Sequence, residues 1–200
     1  MAEERGRPGG TVGSSSATAP VDERRQPRAT RLRSGDPSYA RAVARPIASS
    51  STVGLAELLD FVRPRHRLLL ATTRRDGRPQ ISPVSGGVDA DGRVLIATYP
   101  ARVKTRNVKS DPRVSVLVLS DDWNGPWVQL DGDAEVLHMP EAADGLVEYF
   151  RSISGEHPDW DEYRAAMHVQ DKSLIRVTPT RWGPIATGGF PADVAARLGG

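Results

Sequence analysis

LLLATTRRDGRPQISPV, residues 68–84, decides the reading of the fold. Arg67–Thr73 is an apolar run ending in two threonines, and it reads as a strand. Asp76-Gly77 is a strong tight-turn signal, because glycine adopts the positive φ that a two-residue connection needs. The chain should then return over residues 79–88, PQISPVSGGV. Pro83 has no N–H to give, which keeps that strand off the middle of a sheet. Gly86-Gly87 marks a bulge or a close backbone approach. Asp89–Gly92, DADG, is a second turn, and Val94–Thr98 a third strand. Tight turns of this kind join antiparallel strands.

Working outward, Leu55, Leu58, Leu59 and Val62 recur at helical spacing and predict a short amphipathic helix stopped near Pro64. Residues 101–109 read as a short basic helix or turn, ended by Asp111-Pro112. Residues 113–119 are a strand, 121–126 a loop, and 127–137 a long strand with a bulge at Gly132. Helices are expected over Ala142–Ile153 and over 159–169, and a last strand over 173–178. The pattern is mainly β with inserted α. It predicts about six strands in an antiparallel sheet, which at this length closes into a barrel or folds into a sandwich. It is not βαβ, and no GxGxxG or GxxxxGK[ST] is present to indicate a nucleotide fold.

Only 38% of the 200 residues are hydrophobic and there is no Cys. The apolar fraction is below the roughly 45–50% of globular chains, a reference that also counts Gly, so part of the chain is not expected to pack. The absence of Cys excludes disulfides, thiol catalysis, iron–sulfur clusters and Cys-based zinc sites. The net charge of +2 is unevenly spread: residues 1–54 hold nine Arg and five acids, whereas the rest holds 18 basic and 20 acidic residues. The leader also contains 5 Pro, 6 Gly and 8 Ser but only six Val, Leu, Ile or Phe. Such a segment cannot bury enough to offset its ordering entropy, and 1–54 is expected to be a disordered basic leader. Residues 55–190 are the expected folded domain and 191–200 a C-terminal tail. The acidic balance of the body speaks against nucleic acid as a partner. No apolar run approaches the roughly 18 residues of a membrane span. No secretory signal is visible, so a soluble cytoplasmic protein is expected.

Two patches can carry chemistry. Arg102, Lys104, Arg106, Asn107 and Lys109 follow a strand directly. Basic side chains and the free N–H groups of a helix start suit a phosphate or carboxylate, and a solvated basic turn is the plainer alternative. In 77–84 the polar Gln80 and Ser82 share one face of a strand with an internal Pro. That face could receive the edge of a flat heterocycle, or be an ordinary edge strand. The four histidines, 66, 138, 157 and 168, have no metal-ligand spacing and there is no HExxH, so no metal site is expected. Asp131, Asp133 and Glu135 share a face that reads as solvent or subunit contact.

With these patches the sequence resembles the flavin- and deazaflavin-binding split β-barrels related to pyridoxamine 5′-phosphate oxidase, over roughly residues 55–184. The shared stretches are LLLATTRRDGRPQISPV and VLIATYPARVKTRNVKSDPRVSVLVL. The segment GEHPDWDEYRAAM, 155–167, looks like the actinobacterial subgroup that uses coenzyme F420. The resemblance implies an FMN-binding type of split barrel, a homodimer, and a cofactor in the cleft between subunits. It implies ring-facing positions at Gln80, Ser82, Pro83 and Val84, and phosphate positions at Arg102, Lys104, Thr105 and Asn107. Trp127 begins the strand that approaches the pocket in such folds; a barrel-core or dimer aromatic is its plainer reading.

FMN-using oxidases of the family carry basic residues in the second strand, and PQISPV has none. This favours coenzyme F420 over FMN and hydride transfer to an unsaturated small-molecule substrate. Deazaflavin reacts poorly with oxygen, so a reductase is implied, with no side chain assigned as catalytic. The alternatives are an FMN-binding oxidoreductase and a non-catalytic module that carries a cofactor or binds tetrapyrrole.

Overall fold

The computed structural model describes residues 47–198. The expected disordered leader lies, for residues 1–46, outside the described residues. Its last part pairs with the C-terminal stretch: β1 (Ser50–Ser51) runs antiparallel to β9 (Ile185–Ala186), and Ile47 bridges Phe190. Within the expected tail, Ala192–Leu198 form a short helix.

α1 (Leu55–Val62) starts where the Glu57 carboxylate accepts the Gly54 N–H at 2.9 Å, and it buries Leu58, Leu59 and Val62. β2 (Arg67–Thr73) and β3 (Pro79–Ser85) form the expected hairpin, with Gly77 at φ +81° in its turn. Then come β4 (Gly87–Val88), β5 (Val94–Thr98), α2 (Val103–Ser110), β6 (Arg113–Val118) and β7 (Val128–His138). The helices α3 (Ala143–Ser154) and α4 (Trp160–Val169) precede β8 (Ser173–Trp182).

The main sheet has seven strands rather than the expected six, all antiparallel, in the order β3-β2-β6-β7-β8-β5-β4. The extra strand arises because the returning segment breaks at Gly86. β3 and β4 stand at opposite edges of the sheet yet are one residue apart in sequence. A sheet whose two edges are joined by a single residue must curl until they meet. The result is a split β-barrel. Gly86 is buried, and a Cβ there would run into Leu68 and come within 3.3 Å of the Leu95 carbonyl. The doublet is therefore a close approach.

Alternation along the strands sends Leu68, Leu70, Val94, Ile96, Val116, Leu130, Ile175 and Val177 into the barrel, each at most 2% exposed. Every such side chain contributes about 1.5–3 kcal/mol by leaving water. β5 is buried on both faces, because Leu95 packs outward under α3 and α4 with Leu146, Val147, Tyr163 and Leu174. α4 is capped by Asp159, whose carboxylate accepts from the N–H groups of Asp161 and Glu162, both at 2.9 Å. The β7–β8 register shifts between Asp131 and Gly132, and the extra residue, Thr180, lies on β8 rather than on β7, the strand expected to carry the bulge. A Cβ on Gly132 would collide with the Thr178 carbonyl, so only glycine lets the strands approach there.

Candidate functional site

Antiparallel partners point to the same face of a sheet. The register Leu68–Val84, Leu70–Ser82, Thr72–Gln80 therefore places Gln80, Ser82 and Val84 on the inward face of edge strand β3, each half-buried. Pro83 pairs with Leu69 and, like Ile81, is exposed on the outward face. Three of the four expected ring-facing residues thus share a face, and Pro83 lies behind it.

The basic helix α2 closes the barrel end beside Thr72. Thr105 is fully buried: its hydroxyl donates to the Tyr99 carbonyl at 2.8 Å and lies 3.3 Å from the Thr98 hydroxyl. Its side chain thus holds the turn, leaving only its backbone N–H for an anion. Among the described residues no side chain caps α2, no acid stands in its first turn, and the Arg106 N–H is the first with a carbonyl inside the helix end, Arg102 O at 3.1 Å. The N–H groups of Val103, Lys104 and Thr105 lie before it and have no intrahelical acceptor. Arg102 is exposed, with its guanidinium 5.9 Å from the Tyr99 ring centre. Lys104 is half-buried. Burial and then the nearby Arg102 charge push the Lys104 ammonium below its ordinary pKa. Among the described residues neither cation has a carboxylate within ion-pair distance. Partnerless cations beside open N–H groups suit a phosphate.

Asn107 joins the two patches. Only 9% exposed, it donates through Nδ2 to the Thr72 hydroxyl at 3.0 Å. Thr72 donates to Gln80 Oε1 at 3.2 Å, and Gln80 Nε2 donates to Ser82 Oγ at 2.7 Å. Sequence reasoning missed Thr72. The available signal was a polar residue at an inward position of a strand whose other inward residues are leucines. Trp127 is not part of this group. It is 39% exposed, pairs with Ala186, and sits one residue beyond the rung Val84–Leu68–Val118–Val128. That is roughly 16 Å along the strands from Gln80 at about 3.3 Å per residue.

Elsewhere, a recess of about 630 Å³ on the outward face is lined by Thr73, Pro79, Ser115, Gln129, Asp131 and Arg181. Ser115 and Arg181 hydrogen-bond the Asp131 carboxylate and lower its pKa. No cluster of three His, Asp or Glu suited to a metal occurs among the described residues.

The site thus sets a half-buried polar edge strand and an open, cationic helix start on one split barrel. A model of the pyridoxamine 5′-phosphate oxidase family matches residues 55–186, and the chain belongs to that family. Among solved structures it is similar to the conserved hypothetical protein Rv2991 of Mycobacterium tuberculosis, with 24% identity, TM-score 0.58, and 70% of this chain and 89% of that one covered. An F420 reductase matches at 22% identity and TM-score 0.49, covering 62% of this chain and 94% of that one. HutZ, a heme storage protein of Vibrio cholerae, matches at 21% and 0.49, covering 68% and 95%. At 24% identity the likeness to Rv2991 is one of fold alone.

Proposed function

We propose that this protein is a coenzyme F420-dependent oxidoreductase that reduces an unsaturated small molecule. The observation that carries the reading is where the positive charge stands. β3 has no basic residue over Pro79–Ser85, whereas among the described residues Arg102 and Lys104 stand without carboxylate partners at the start of α2. A deazaflavin, whose phosphate and oligoglutamate tail need an open basic rim, fits that distribution better than FMN. The bound deazaflavin would supply the hydride.

The chain's own groups bind and orient. Arg102, Lys104 and the N–H groups of Val103–Thr105 hold the phosphate, and Asn107 anchors their helix to β2. Gln80, Ser82 and Val84 face the ring, with Pro83 fixing the backbone of their strand. Trp127 is too far from Gln80 to reach the same ring within one subunit, so its contact requires the dimer.

The proposed homodimer uses the outward face of β3, β2 and β6. There Pro83, Leu69 and Leu117 form one apolar rung next to Ile81, which is 60% exposed. No described helix is long and apolar enough to cross a membrane, and the cytoplasm is the proposed compartment.

Turnover tests the proposal. Reduced F420 mixed with the protein should be reoxidised when quinones or enones are added. Binding without turnover across quinones, enones and bilins would instead identify a cofactor or tetrapyrrole carrier.

A further inference from the structure

The hydrogen bonds between α2 and β3 have a direction. The Ile81 carbonyl lies 3.1 Å from Gln80 Nε2. A carbonyl can only accept, so the nitrogen of the Gln80 amide faces Ile81 and Ser82 and its oxygen faces Thr72. The Thr72 hydroxyl must then donate, to Oε1 at 3.2 Å or to the Gln80 backbone oxygen at 3.4 Å. Its lone pairs take the Asn107 amide N–H at 3.0 Å. At the far end Ser82 Oγ accepts from Gln80 Nε2 at 2.7 Å, so its own proton points elsewhere. Among the described residues that proton has no acceptor. The chain of bonds runs from the core outward: Thr72 is 2% and Asn107 9% exposed, while Ser82 is half-buried at the sheet edge. Aligned bonds of this kind polarise one another.

We propose that Thr72 and Asn107 are positioning residues which, through Gln80, present the Ser82 hydroxyl as a hydrogen-bond donor to an acceptor atom, a carbonyl oxygen or ring nitrogen, on the edge of the bound heterocycle. The inference rests on the cofactor site proposed above and adds to it. It makes Ser82 a donor and gives α2 a second task, so the helix that holds the phosphate also sets the hydrogen bonding at the ring.

The test uses the full chain and whichever of F420 or FMN it binds. Ser82→Ala and Thr72→Val should each weaken binding about three- to tenfold and shift the visible band of the bound cofactor. Thr72→Ser keeps the hydroxyl and should restore both. The double variant should bind no worse than Ser82→Ala, because both changes remove the same donor. If Thr72→Val does not fold, Gln80→Leu breaks the same link and should show the same coupling to Ser82. Wild-type affinity and spectrum in Thr72→Val, or in Gln80→Leu where that replaces it, would overturn the relay while leaving the cofactor site standing. Additive losses would do the same. A wild-type chain that binds neither cofactor would overturn the functional reading, and the relay with it.

Discussion

Lys104 is the residue on which the anion reading turns. Its pKa is lowered from the ordinary 10.5, first by burial and then by Arg102, so the folded protein disfavours its charge until an anion offsets both. The sign of the pH dependence follows. In the free protein the unfolded chain holds this proton more tightly, so Lys104's contribution to stability improves as pH rises through the lowered value. A phosphate ligand needs the charged form, so its affinity should be level at neutral pH and fall in the alkaline range before 10.5 is reached. Titrations across that range check this, and Lys104→Arg, which stays charged, should flatten the profile. Asp131 has the opposite sign. Ser115 and Arg181 lower its pKa, so its stabilisation is present above 3.8 and lost on acidification. Asp131→Asn should therefore shrink the acid-side loss of stability in urea titrations.

At the scale of elements, strand pairing depends on where the chain can afford no side chain. Gly132, at the β7–β8 register shift, faces the Thr178 backbone, which cannot move aside as a side-chain tip could. Gly132→Ala should cost about 1–3 kcal/mol, read from urea unfolding. Over the helices, Tyr163 donates to the Leu146 carbonyl at 3.1 Å, and burial together with Tyr149 pushes its phenol up to about 12. Tyr163→Phe should lose about 1 kcal/mol.

Most of this level was legible in the sequence. β2 and β5 run over the expected residues, and the β7–β8 register shifts at the expected glycine, with the extra residue, Thr180, on β8 instead of β7. β8 extends to Trp182, past the expected end at Thr178, because Pro179-Thr180-Arg181 has no apolar alternation to read. β1 and β9, two residues each, are too short for any periodicity. The separation of β3 from β4 is a property of the closed sheet and leaves only the glycine doublet as its local trace. At the site, each patch was readable where its residues are consecutive. The link through Thr72 was not, since it exists only once α2 packs over β2.

For the whole molecule, the outward apolar rung is the feature a lone subunit leaves wet. Ile81→Asp should convert a dimer to a monomer in sedimentation velocity, with the barrel's circular dichroism unchanged; a wild-type monomer would remove the proposed dimer. The central claim is the cofactor. Fluorescence titration of the wild-type chain and of Lys104→Ala with coenzyme F420 and, separately, FMN tests it most directly. F420 should bind saturably at micromolar or tighter affinity and FMN more weakly or not at all, with a loss of more than about tenfold in Lys104→Ala, the size of a lost charge-assisted bond. Binding of FMN alone, or F420 affinity unchanged in Lys104→Ala, would contradict it.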